Sequence, residues 1–310
     1  MNQKDTQSLL STLNGVLFTG GSAYFNNDPG NFYWPQVLNI LSYLREFHRA
    51  NPQVAIPLWG TCLGFEAIIC ATAKVHEPPP QKKKKKAGTN IYGTFDAENL
   101  AVPINFTSNA SESRIFDGTM DPSYSKSVYD IFASQAVSMN NHQGGFSPSD
   151  FLGDEYLINN FTLLGTSNDA DNVTFITLME SIDSLQLFWY VFHIFANEYF
   201  SVVYVIYNFF FFLLLDQFCI TRYGSQFHPE KPQYEFDASD ATNTPHFYDA
   251  IFANQYLSEF FVNECRLRNN NTMSQTNYEN SVIYNYNAFY LAKAESDVSY
   301  EQVYVFPAAQ

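Results

Sequence analysis

The feature that most constrains this chain is a five-residue turn, Gly60-Thr61-Cys62-Leu63-Gly64, set between an apolar run and a helical pattern. Gln53-Val54-Ala55-Ile56-Pro57-Leu58-Trp59 enters it at strand length, and Phe65 to Ala73 leaves it as a helix. A strand-to-helix turn this sharp needs small flanking residues, and it projects the side chain between them. Cys62 holds that projecting position at a helix N-terminus, where free N–H groups and the helix dipole favour negative charge. The N–H of Leu63 would then point at a developing oxyanion.

The rest of the chain fits one α/β fold around that turn. Gly15-Val16-Leu17-Phe18, followed by Thr19-Gly20-Gly21-Ser22, predicts a buried strand and a tight turn. Val37, Leu38, Leu41, Leu44 and Phe47 recur at helical spacing between Trp34 and Arg49, and Asn51-Pro52 closes that helix. Strand, turn and helix in succession, twice, point to βαβ units and a mostly parallel sheet flanked by helices. A second amphipathic helix runs from Phe247 to Arg268, and short β-like runs lie near Val282–Tyr290 and Tyr300–Phe306. No Pro/Gly/Ser-rich linker divides the 310 residues, so residues 1–310 are expected to form one domain.

Composition excludes some functions. A net charge of −15 argues against a general nucleic-acid binder, although a local positive pocket could still take an anionic substrate. The four cysteines, Cys62, Cys70, Cys219 and Cys265, match no zinc or CxxC spacing and are too few to staple a chain of this length. The N-terminus lacks the basic start and apolar run of a signal peptide, yet Asn-x-Ser/Thr sequons begin at Asn105, Asn109, Asn160, Asn172 and Asn270.

Two stretches break the α/β pattern. Residues 75–88 join three prolines to five lysines and read as a solvated loop, with a localisation or nucleic-acid signal at Lys82–Lys86 as the alternative. Residues 184–220 contain an uncharged apolar run, 199–215, at the lower length limit of a membrane span. A membrane is therefore not expected as a partner unless that run is a genuine span.

A nucleophilic thiol needs a base, and the base needs a third group to orient it. Of the six histidines (His48, His76, His142, His193, His228 and His246), only His228 sits in a dense polar cluster. There Pro229 restrains the backbone, and Glu230 lies two residues on, where it can reach the imidazole.

Together these motifs resemble the gamma-glutamyl hydrolase family, cysteine peptidases of the class I glutamine amidotransferase-like fold. The likeness is carried by Leu17-Phe18-Thr19-Gly20-Gly21, Trp59-Gly60-Thr61-Cys62-Leu63-Gly64-Phe65-Glu66 and Gln226-Phe227-His228-Pro229-Glu230-Lys231. Val102-Pro103-Ile104-Asn105-Phe106-Thr107, Ser113-Arg114-Ile115-Phe116, Thr177-Leu178-Met179-Glu180 and Phe260-Phe261-Val262-Asn263-Glu264 extend it almost to the C-terminus. The resemblance implies a flavodoxin-like three-layer α/β domain. It also implies hydrolysis of γ-glutamyl bonds, with folylpolyglutamate as the usual small-molecule substrate class and no metal or cofactor. In that picture Cys62 attacks the γ-carbonyl and His228, oriented by Glu230, moves the proton. The N–H groups of Gly21 and Leu63 hold the oxyanion, and Glu66 and His142 lie beside the substrate. The resemblance further implies a lysosomal, vacuolar or extracellular location and allows a homodimer.

The chain departs from the family in three places. About 14 residues precede the first strand where the family has a strand, a helix and another strand, so an N-terminal truncation is expected. The segments near 75–88 and 184–220 interrupt family sequence and are read as foreign inserts from a faulty gene model. Two other readings compete with the hydrolase. One is an ammonia-supplying glutamine amidotransferase, disfavoured because Glu66 stands where those enzymes usually carry Gln. The other is an inactive truncated relative.

Overall fold

The structure, a computed structural model, describes residues 3–51, 54–73, 91–117, 121–182, 221–236, 241–268, 271–290 and 302–305. Both suspected inserts, 75–88 and 184–220, lie outside them, as do Cys219, His76, His193 and the apolar run 199–215. Among the described residues no helix is long and apolar enough to cross a membrane.

Ten strands are described: β1 (Val16–Phe18), β2 (Leu58–Thr61), β3 (Tyr92–Val102), β4 (Asn105–Phe106), β5 (Ser138–Phe146), β6 (Phe161–Asn168), β7 (Thr174–Ser181), β8 (Arg222–Ser225), β9 (Ala288–Tyr290) and β10 (Gln302–Tyr304). The helices are α1 (Gln3–Leu10), α2 (Tyr33–Ala50), α3 (Leu63–Thr72), α4 (Pro122–Ser134), α5 (Pro148–Leu152), α6 (Glu155–Ile158), α7 (Lys231–Tyr234), α8 (Tyr248–Arg268) and α9 (Gln275–Ser281). The α/β fold with helices flanking the sheet is therefore the one the sequence implies. The helices expected over 34–49, 65–73 and 247–268 form α2, α3 and α8 with boundaries shifted by a residue or two.

One six-stranded mixed sheet, ordered β1-β2-β8-β7-β6-β4, carries the fold. β1, β2 and β8 run parallel, and β7, β6 and β4 continue the sheet antiparallel. The sheet is therefore mixed where a mostly parallel one is expected, and the antiparallel half reflects chain connectivity: β6 and β7 are joined by the short turn 169–173, which cannot make a crossover. The parallel half needs crossovers, and α2 lies in the connection from β1 to β2, while α3 begins the path that leaves β2.

Hydrophobic packing on both faces explains why β2 and β8 are buried along their whole length. Successive strand residues point to opposite faces, so Leu58 joins a core with Val37, Leu41 and Leu44 of α2 and Phe65, Ile68 and Ile69 of α3. Trp59 and Tyr223 join the opposite core with Val128 and Phe132 of α4 and Tyr256 and Phe260 of α8. Those two cores form the three-layer arrangement.

Two details depart from the expectation drawn from hydropathy alone. The strand at 16–18 is not fully buried: Leu17 is 53% exposed, because β1 ends the sheet and pairs only with β2 among the described residues. The run near 282–290 begins as a short helical turn, Ile283–Asn285, and only β9 is extended, pairing antiparallel with β10. A separate long ribbon, β3 with β5, stands beside the main sheet and carries His142.

Candidate active site

The site is built where the parallel strands end. β2 stops at Thr61 and the chain turns within one residue into α3, with Cys62 as the N-cap at φ 50° and ψ −108°. Such a left-handed backbone costs a non-glycine residue about 1–3 kcal/mol and persists only where its surroundings impose it. Here the glycines impose it. A Cβ on Gly64 would lie 2.2 Å from the Phe18 carbonyl oxygen, and one on Gly60 would lie 2.6 Å from the Gly64 backbone. Only glycine lets the strand, the turn and β1 approach this closely, and that closeness aims Cys62 outward from the turn.

β8 lies beside β2 in register Thr61↔Ser225, and the Cys62 N–H donates to the Ser225 carbonyl at 2.9 Å. The chain leaving β8 is then pinned twice more: Gln226 N–H donates to Thr177 O at 2.9 Å and His228 N–H to Met139 O at 2.8 Å. These bonds fix the loop that brings His228 to Cys62. The two side chains are near enough for Cys62 to act on the charge of His228. Gly20 closes the pair from above: a Cβ there would lie 2.7 Å from His228 Cε1 and 3.6 Å from Cys62 Cβ.

Glu230 lies 2.6 Å from His228 Nδ1, which leaves Nε2 as the ring nitrogen that the carboxylate does not engage. Burial opposes a charge on the imidazole, but the Glu230 carboxylate and the neighbouring Cys62 outweigh it and raise His228 to about 10. Burial pushes Glu230 upward, and the His228 charge more than reverses that, holding the carboxyl below its ordinary value. Because the Glu230 side chain is 45% exposed, water screens the pair, and its main effect is orientation rather than stability.

One helical turn beyond Cys62, Glu66 is buried, and its N–H donates to the Cys62 carbonyl at 3.0 Å. Tyr92 Oη donates to its Oε2 and Gln226 Nε2 to its Oε1, each at 2.9 Å. Burial pushes Glu66 up to about 7 despite these donors and the nearby His228. Leu63 is the first residue of α3, so its N–H has no partner within the helix and lies beside Cys62. Gly21, at φ 153°, faces Leu63 across the turn, 3.5 Å from Leu63 Cδ2 to where a Cβ would stand.

His142 is buried with both ring nitrogens against protein oxygens: Nδ1 at 2.7 Å from Gly144 O and Nε2 at 3.2 Å from Asn140 Oδ1. Burial, reinforced by the charge of His228, holds it down to about 4, so the ring is neutral over most working conditions. The fold thus groups Cys62, His228, Glu230, Glu66, Leu63 and Gly21 around one turn. His142 sits behind them with its polar atoms turned inward.

Three further residues of this site escape a reading of sequence. Gln226 lies two positions before His228 in the same motif, so its neighbourhood was visible but its bond to Glu66 was not. Gly20 adjoins the glycine expected to face the oxyanion. Tyr92 left no local signal, since it comes from the β3–β5 ribbon.

Acyl transfer by a cysteine enzyme requires a nucleophile on a strained elbow, a base near it and a carboxylate to orient that base, and Cys62, His228 and Glu230 stand in positions of that kind. Comparison with known proteins agrees with that class. No family model matches the chain. Gamma-glutamyl hydrolase B of Dictyostelium discoideum is 30% identical over 98% of this chain and 70% of its own length. Human gamma-glutamyl hydrolase is 26% identical over 99% of this chain and 76% of its own, and the probable gamma-glutamyl hydrolase 3 of Arabidopsis thaliana is 25% identical over 96% and 66%. Among solved structures, a putative GMP synthase subunit from Thermoplasma acidophilum aligns over 86% of this chain and 80% of its own at 12% identity and a TM-score of 0.36, too remote to add weight. This chain belongs to the gamma-glutamyl hydrolase family.

Proposed function

We propose that this protein hydrolyses γ-glutamyl bonds through a thioester on Cys62, with folylpolyglutamates as the substrate class. The observation that supports the reading most is the Cys62–His228–Glu230 chain at the end of β2 and β8 in a member of this family. A His228 held near 10 can hold the proton that Cys62 gives up, so that it is an imidazolium at neutral pH and ready to pass that proton on. The thiolate attacks the γ-carbonyl, and the N–H groups of Leu63 and Gly21 receive the oxyanion. As the carbon–nitrogen bond breaks, His228 Nε2 protonates the leaving amine. The now neutral ring takes a proton from water, whose oxygen attacks the thioester and releases the glutamyl acid. Glu66 backs this centre from the first turn of α3, and the neutral His142 supports it from behind rather than touching the substrate with its ring nitrogens. Asn105, Asn109 and Asn172 are exposed, which accords with a lysosomal, vacuolar or extracellular enzyme.

The test is glutamate release from a γ-linked glutamyl peptide against its α-linked isomer, for the wild type and for Cys62→Ala. Selective γ-cleavage that vanishes in Cys62→Ala is the expected result. A folded wild type that releases nothing, or cleaves both isomers alike, overturns the reading.

A further inference from the structure

Tyr33 opens α2, and its hydroxyl oxygen is buried; among the described residues nothing hydrogen-bonds to it. Burying a hydroxyl without a partner costs about 1–3 kcal/mol, so each such group calls for an explanation. Its position supplies one. The Phe25 ring packs against Tyr33 on one side and Tyr92 on another, with centroids 6.4 and 6.3 Å apart. Tyr92 in turn donates to Glu66, one helical turn from Cys62. Tyr33 therefore belongs to the aromatic cluster that leads through Tyr92 to Glu66, close enough for the charges of Glu66 and Cys62 to act on it, with one hydroxyl of that cluster engaged and the other idle. Burial first, and the charges of Glu66 and Cys62 after it, push its ionisation upward, so it stays a neutral donor.

A γ-glutamyl group differs from a simple acyl chain at its α-carbon, three bonds from the reacting carbonyl, which bears a carboxylate. Glu66 is itself a carboxyl group already holding two donors, and when ionised it would repel that carboxylate. A neutral hydroxyl can hold it. Resting on the γ-glutamyl reading of the Cys62 site, we infer that Tyr33 is a specificity residue whose hydroxyl donates to the α-carboxylate of the bound γ-glutamyl group.

Tyr33→Phe tests this, because the ring and its packing remain and the free protein loses no hydrogen bond. The expected melting temperature is unchanged or slightly higher. With a γ-glutamyl amide, kcat/KM should fall about 10–100-fold, the range for a hydrogen bond to a charged group. With the γ-aminobutyryl amide, which lacks only the α-carboxylate, the variant and the wild type should match. An unchanged kcat/KM on the γ-glutamyl amide overturns the inference, as does an equal loss on both substrates. A lower melting temperature without the selective loss overturns it too and makes the hydroxyl structural.

Should the wild type cleave neither amide, γ-glutamyl hydrolysis itself fails, and alkylation of Cys62 still decides about Tyr33. Tyr33→Phe should slow labelling by the glutamate-shaped diazo-oxo-norleucine about 10-fold or more relative to iodoacetamide. Equal slowing or none overturns the inference.

Discussion

Gln226 Nε2 donates to Glu66 Oε1 at 2.9 Å, tying the loop that carries His228 to the helix that begins at Cys62. The bond crosses between the chain leaving β8 and α3, so Cys62 and His228 are positioned by one buried polar contact as well as by the sheet. Its energetic sense depends on the proton of Glu66. Two donors face an ionised carboxylate well, yet the surrounding core makes that charge costly.

The first prediction is a pH dependence of stability. Glu66 is raised from 4.5 to about 7, so between those values the folded protein holds a proton that the unfolded chain has lost. Stability should therefore fall as pH rises through that window, by roughly 3 kcal/mol at about 1.4 kcal/mol per pKa unit. Glu180, raised to about 8 by burial, pushes the same way. In Glu66→Gln, the Gln226 amide can turn over and offer its otherwise unpaired Oε1. Denaturant titrations at pH 4.5 and 7 should show a shallower loss in the variant than in the wild type. Parallel slopes would place the proton elsewhere.

Glu230 should set the alkaline limit of activity. Because its charge helps raise His228 to about 10, Glu230→Gln should move the alkaline limb of the kcat/KM profile downward and cut the plateau on the order of 10²-fold. His228→Ala, by contrast, should leave no such limb to move. A variant profile that overlays the wild type would mean Glu230 does not orient the ring.

Gly64 should tolerate no side chain. A Cβ there would meet the Phe18 carbonyl oxygen at 2.2 Å, and backbone cannot swing aside as a side chain can. Gly64→Ala should lower stability by about 2 kcal/mol or more, read as a drop in melting temperature. Its residual activity per folded molecule should fall as well, since the elbow must open to admit the methyl group.

Away from the site, the buried Glu264 pairs with the partly exposed Arg114 at 2.5 Å, and Tyr223 Oη donates to Glu264 at 2.6 Å. Glu264→Ala leaves the guanidinium and the phenol without this shared acceptor, so it should cost about 3–5 kcal/mol. The folded fraction should keep its kcat, which separates this contact from those around Cys62. A loss of kcat with unchanged melting temperature would reverse that assignment.

Much of this arrangement was legible in the chain itself. Helical spacing located α2 and α8, and the glycines around Cys62 announced a strand-to-helix elbow, because both signals depend on residues a few positions apart. The pairing of His228 with Glu230 was equally local, since two residues with a proline between them have few ways to diverge. Leu17 is exposed against its hydropathy for the opposite reason: hydropathy records what a residue prefers, whereas exposure depends on whether another strand lies beside it.

What the sequence alone determined is therefore the chemistry of single turns: a projected cysteine, an oriented histidine, a helix after each of the first two strands. Only the tertiary structure decided that β8 lies next to β2, so that Cys62 and His228 meet at all. It also decided that the nitrogens of His142 turn inward, and that Tyr92 and Tyr33 arrive from distant segments in the aromatic cluster that leads to Glu66. The physical reason is range. Turn geometry and periodicity act over a few residues, while the choice of strand neighbours is made by two hydrophobic faces packing at once, a condition no short stretch of sequence contains.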